Sequence, residues 1–162
     1  MSTLLKPEPR VADPAPATRG DAVRPSSPPL AAHLVRVTLP EQGDELNGKA
    51  LCEQLRRFLK AHPGPCCFFL EGTGMVNARI GFANAFKELD REWGARMEVV
   101  CAIPQPIPRM MAYTVATMAQ ASWHIFRTRV EAELHLQLRG YLAAEGGPSP
   151  RGPVHVSLHA LS

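Results

Sequence analysis

Between His33 and Leu39, apolar Leu34, Val35, Val37 and Leu39 interleave with Arg36 and Thr38 until Pro40 removes a backbone donor, and this pattern predicts a first strand. Glu41 to Glu45 is polar, includes a glycine and predicts a loop. Asn47 is placed to accept a hydrogen bond from the free amides of a following helix, on which Leu51, Leu55, Phe58 and Leu59 recur at helical spacing. That helix must stop at His62-Pro63-Gly64-Pro65. Cys66 to Leu70 is a short apolar run without alternation, the pattern of a central strand covered on both faces. Glu71 to Val76 turns the chain, and Asn77 is placed to cap a second helix carrying Phe82, Phe86, Leu89 and Trp93. Gly94 is the expected left-handed residue at its end.

Arg96 to Ile103 reads as a third strand. After the prolines at 104, 106 and 108, Pro108 can open a third helix running to about Gln120. Trp123 to Phe126 reads as a fourth strand. Thr128 and Glu131 then form a capping box that opens a closing helix, which carries Val130, Leu134, Leu138 and Tyr141 and frays at Gly140. Beyond the Gly146 to Pro153 linker, Val154, Val156 and Leu158 alternate with His155, Ser157 and His159, so residues 153–160 can add an edge strand. The order β-α-β-α-β-α-β-α predicts an α/β fold: a small sheet of four strands, five with the tail, mainly parallel, with helices packed on it.

Composition sets the boundaries. Seven of the 16 prolines lie in the first 31 of the 162 residues, where large aliphatic residues are few, so residues 1–31 are expected to form a disordered arm. The folding unit is placed at 32–142 and a flexible tail at 143–162. No run of 18 apolar residues is present to span a membrane. The first ten residues lack the apolar core of a signal peptide, which points to the cytoplasm.

The net charge of +3 is dispersed rather than clustered. Arg127, Arg129 and Arg139 alternate with Glu131 and Glu133, the pattern of a solvated helix face rather than a phosphate-tracking stripe, and specific nucleic-acid binding is not expected. Cys52, Cys66, Cys67 and Cys101 contain no C-x-x-C pair and read as small buried hydrophobes. The six histidines are scattered in sequence. Neither a metal nor a cofactor is therefore expected.

Gly72-Thr73-Gly74, between a strand and a helix, invites a phosphate-cradle reading, but Asn77 stands where the third glycine of a dinucleotide fingerprint belongs. No catalytic serine elbow is present. Glu71 is the best-placed carboxylate, because open parallel sheets hold ligands beyond the carboxyl ends of their strands. The third helix is unusual in composition: apart from Arg109 it has no formal charge, and Met110, Met111, Tyr113, Val115 and Met118 spread around more than one face. Burial on two sides and an interaction face both remain open for it.

The stretch from Ala78-Arg79 through the second helix, the strand Met97 to Ile103, the Ile107-Pro108-Arg109-Met110 helix start and Ile125-Phe126-Arg127-Thr128-Arg129-Val130-Glu131-Ala132 resembles the SpoIIAA-like branch of the STAS-like superfamily, over about residues 33 to 142. The resemblance implies a mixed sheet with helices predominantly on one side, and a regulatory or binding role without chemistry. The phosphorylatable serine motif of anti-sigma-factor antagonists is absent, and only Thr73 offers a hydroxyl nearby. Three functions follow as expectations. The first is a protein-interaction or self-association module acting through Glu71, Gly72, Thr73, Gly74, Asn77 and the Met110 to Met118 helix. The second is an apolar-ligand or lipid carrier lined by that helix and Trp123. The third is an enzyme using the 71–77 loop.

Overall fold

The computed structural model describes residues 31 and 33–142 together with the backbone of 154–159. The expected disordered arm and the Gly146 to Pro153 linker lie outside the described residues. Five strands form one sheet in the order β6-β5-β3-β1-β7. They are β1 (His33–Thr38), β3 (Cys66–Glu71), β5 (Met97–Ala102), β6 (Ser122–Phe126) and β7 (Val154–His159). Every pairing in it is parallel, with His33 opposite Cys66, Cys66 opposite Met97 and Glu98 opposite Ser122, so the mixed sheet implied by the family resemblance is not found. The tail segment does add an edge strand, with Val154 opposite His33.

Four helices connect these strands: α1 (Glu45–Ala61), α2 (Ile80–Trp93), α3 (Pro106–Ala116) and α4 (Arg129–Arg139). The path β1, β3, β5, β6 steps across the sheet in one direction, and right-handed crossovers then place α1, α2 and α3 on the same face. The return from β6 to β7 at the far edge reverses direction, which puts α4 on the opposite face. Burial agrees with this. Val35, Phe68, Leu70 and Val99 pack with Leu55, Phe86 and Val115, whereas Leu34, Phe69 and Val100 pack with Ala132 and Leu136. Cys66 and Cys67 point to opposite faces, as neighbours on a strand must.

Several local expectations change. Asp44, not Asn47, caps α1, its carboxylate accepting from the Asn47 amide at 2.8 Å. The Glu41 to Glu45 loop contains a two-residue strand β2 (Gln42–Gly43) that pairs in parallel with β4 (Asn77–Ala78). Asn77 therefore does not cap α2: its side-chain amide donates to Gln42 Oε1 at 2.7 Å, and Arg79 precedes the helix without a side-chain cap. Gly94 has φ −54° and begins a single 3-10 turn that Arg96 ends. Two prolines occupy the first turn of α3, which starts at Pro106 rather than Pro108 and stops at Ala116 rather than near Gln120.

The largest departure concerns α4. Val130 and Leu138 are 75% and 80% exposed, and Leu134 is also exposed, so this apolar stripe faces outward. The inner side is Ala132 and Leu136, because a helix laid close over the sheet needs a small residue at the contact. The capping box works with a one-residue offset: Thr128 Oγ1 accepts from the Glu131 amide, while the Glu131 carboxylate accepts from the Arg127 amide. Gly140 does not fray the end. It adopts φ 91°, a left-handed conformation that costs an L side chain about 1 kcal/mol or more, and closes the helix through the Tyr141 amide on the Leu136 carbonyl. That turn sends Tyr141 back under α4, where it is buried.

Candidate functional site

The 71–77 loop and α3 do come together. Met75 and Ala78 share a narrow apolar cavity of about 30 Å³ with Met111, Ala112, Val115 and Trp123. Within the loop, Gly72 is buried, a side chain there would meet Ile103 and Leu39 at 3.1 and 3.2 Å, and its amide donates to the Ala102 carbonyl. The glycine thus serves close packing at the sheet end. Strand β4 intervenes before α2, so Gly72-Thr73-Gly74 opens no helix and lacks the arrangement of a phosphate cradle. Thr73 and Gly74 are exposed.

Glu71 is not a solitary carboxylate. It pairs with Arg36 at 3.0 Å and Arg129 at 3.6 Å, and both arginines also reach Glu133, so two positive and two negative charges tie the end of β3 to the start of α4. The loops leaving β5 and β6 diverge to opposite faces, the place where open α/β sheets hold ligands. Here Arg109 fills part of that place, donating to the carbonyls of Ile103 and Pro104 at 3.1 and 2.7 Å.

That use of Arg109 leaves the outer side of α3 uncharged. Ala112 and Val115 are buried and Met111 packs partly against the core, so burial on both sides of the helix does not occur. Met110 and Met118 are 63% and 67% exposed, with Ile107 and Tyr113 beside them in exposure. Val76 and Ile80, which the sequence reading did not single out, are exposed at the loop and at the start of α2. Trp123 turns inward, stacking edge to face on Phe86, and its indole Nε1 is buried without a hydrogen-bond partner.

A second constellation lies at the opposite end of the sheet, beneath α4. Among the described residues two charged side chains are buried, Asp90 and Glu98. Glu98 and His124 are diagonal neighbours on one face of β5 and β6, since Glu98 pairs with Ser122 and Val100 with His124. On α4, His135 and Arg139 are four residues apart and share a side of the helix. Arg139 makes a two-pronged contact with Glu98, Nε to Oε2 at 3.0 Å and Nη2 to Oε1 at 2.9 Å, and the Tyr141 hydroxyl donates to Oε1 at 2.7 Å. The same hydroxyl accepts from the Ala31 amide at 2.9 Å. The reading of Arg139 as part of a solvated face therefore fails. His135 lies over His124 with ring centroids 4.4 Å apart, and its Nε2 is buried with no partner.

The electrostatics follow from burial and pairing. Burial, the largest single influence on Glu98, pushes its carboxyl up, but the hydrogen bonds from Arg139 and Tyr141, with the charges of Arg139 and His124, together hold it below the ordinary value. Burial, and then His124, push the His135 imidazole down, which favours its neutral form. Burial pushes the Cys52 thiol up to about 12 and raises Cys66, Cys67 and Cys101 as well. All four cysteines are buried and free. A thiol-reactive chromogenic reagent is accordingly expected to label none of them in the folded protein and all four in denaturant; rapid labelling without denaturant would contradict this burial.

No family model, curated protein or solved structure matches this chain.

Proposed function

We propose that the domain is a non-enzymatic interaction module of regulatory, STAS-like kind, which binds an apolar protein surface through the outer side of α3 and the adjoining 71–77 loop. The observation that carries this reading is the surface of α3 and the turn after it: four exposed apolar side chains, Ile107, Met110 and Tyr113 on the helix and Met118 just beyond it, on a segment whose only charge is turned inward. Flexible thioethers on such a surface suit a partner whose contour they must follow. The 71–77 loop serves here as part of the contact surface: Glu71 is held by Arg36 and Arg129, and Thr73 is exposed. Containment of a lipid or other apolar ligand is less favoured. An apolar cavity of roughly 150 Å³ is the size that takes up benzene, and the space under α3 is about 30 Å³.

The partner is a protein, either a second copy of this chain or another one. A Met110→Glu, Met118→Glu variant tests both forms while sparing Met111, which packs on the core. Concentration-dependent sedimentation of parent and variant reads self-association, and purification of the tagged full chain at native abundance reads the heterologous form. The expected result is loss of the assembly in the variant with unchanged thermal stability. Identical behaviour of parent and variant in both measurements removes the proposal.

A further inference from the structure

We propose that Glu98, His124 and His135 form a binding site for one divalent transition-metal ion of the zinc class. One ligand atom from each of the three side chains lies within 4.8 Å of the others. A zinc–nitrogen bond of roughly 2.0–2.1 Å would bring them closer by about 1 Å or more, a movement within reach of side-chain torsions. Two imidazoles and one carboxylate suit zinc, cobalt, nickel or copper, whereas magnesium and calcium prefer oxygen sets.

Three features distinguish this cluster from an ordinary group of polar side chains. His135 Nε2 is buried and has no hydrogen-bond partner, a state that costs roughly 1–3 kcal/mol unless something is bound there. Glu98 Oε1 already accepts from both Tyr141 and Arg139, but Oε2 accepts only from Arg139 and keeps a lone pair. Arg139 and Tyr141 thus hold the carboxylate as outer partners hold metal ligands elsewhere. Finally, Glu98 lines a cleft of about 160 Å³ with Arg96, Gln120 and Ser122, so one member of the cluster borders open space. The Arg139 charge partly offsets that of the carboxylate, so affinity is expected to be lower than at a site with an unpaired glutamate. Three protein ligands leave a fourth position for water.

The experiment is calorimetric titration of the full chain with zinc chloride, repeated with magnesium chloride, on the parent and on His124→Gln, His135→Gln and Tyr141→Phe variants. The structure assigns one zinc per chain and no magnesium binding. Each histidine variant should weaken zinc binding by more than the roughly 10–100-fold that losing an outer partner costs, and Tyr141→Phe by about tenfold. His33→Gln is the control, because His33 pairs with the ring of His62 at a different place on the sheet and should leave binding unchanged. Absence of zinc binding to the parent, or binding that survives both His124→Gln and His135→Gln, overturns the site. Cobalt substitution of the parent needs no variant: visible bands without a thiolate charge-transfer band support an imidazole and carboxylate set, and a thiolate band places the metal on cysteine and overturns it.

Discussion

Replacing Arg139 with alanine is expected to lower the unfolding free energy by about 3 kcal/mol near pH 7. Deleting one partner of a buried ion pair costs about 3–5 kcal/mol because it strands the other charge. The lower end applies because the Arg139 side chain keeps 17% exposure while that of Glu98 keeps 8%. The pH dependence gives the cause away. In the parent the folded carboxyl of Glu98 lies below its unfolded value, so the pair contributes its full stability above the unfolded pKa of about 4.3 and loses it as pH falls through the folded value. In the variant only Tyr141 and His124 oppose burial, and the folded carboxyl moves upward. Stability then falls as pH rises through that higher value. The gap between parent and variant should therefore be widest near neutrality and narrow towards pH 3. Urea unfolding of both proteins over that range measures it, and a gap that does not change with pH would show that the charge of Glu98 is not what Arg139 supports.

Asp90→Ala carries the second large effect, with an expected loss of about 3 kcal/mol. The buried Asp90 carboxylate accepts from two backbone amides, Gln120 at 2.7 Å and Ala121 at 2.9 Å, in the turn that joins α3 to β6. Hydrogen bonds to a charged group contribute roughly 1.5–3 kcal/mol each, and a buried amide left without its acceptor costs a similar amount. The arrangement is tight: a side chain at Gly94 would come within 2.7 Å of Asp90 Oδ1. Asp90→Asn keeps the shape and one acceptor oxygen and should lose about half as much. Because this carboxylate anchors the end of α3, amide exchange at Ala121 should accelerate in the alanine variant, and the α3 contact surface should weaken with it. A stability change below about 0.5 kcal/mol, the size typical of surface substitutions, would mean that the turn holds without Asp90.

The sheet strands were legible because their signals are local. The Cys66 to Leu70 run has the pattern of a strand covered on both faces, and the tail alternation from Val154 to Leu158 was enough to propose an edge strand. Helix ends were read less well at Asn47, Asn77 and Gly94, because several residues near each end have capping chemistry and the packing of neighbouring elements selects among them. The short β2 and β4 pair shows why: Asn77 could cap α2 in isolation, but pairing with Gln42 offers its backbone and side chain better partners.

The candidate sites divide in the same way. The apolar character of α3 was visible in its composition, but which methionines face outward depended on the phase of the helix against α2 and β6. Met111 turned out to pack inward and Met110 outward. The cluster beneath α4 was missed, and no spacing rule would have found it. Glu98, His124 and His135 come from two strands and a helix, and each is an unremarkable polar residue in its own segment.

By itself the sequence determined the alternation of strands and helices, and with it a mainly parallel α/β sheet, because periodicity and turn residues act over a few positions. Only the tertiary structure decided which face α4 covers. That followed from the reversal of strand order between β6 and β7, and it turned Val130, Leu134 and Leu138 to the outside while placing His135 and Arg139 over Glu98. Such juxtapositions arise from long-range packing, in which the sheet fixes the floor and a short glycine-capped helix sets the ceiling.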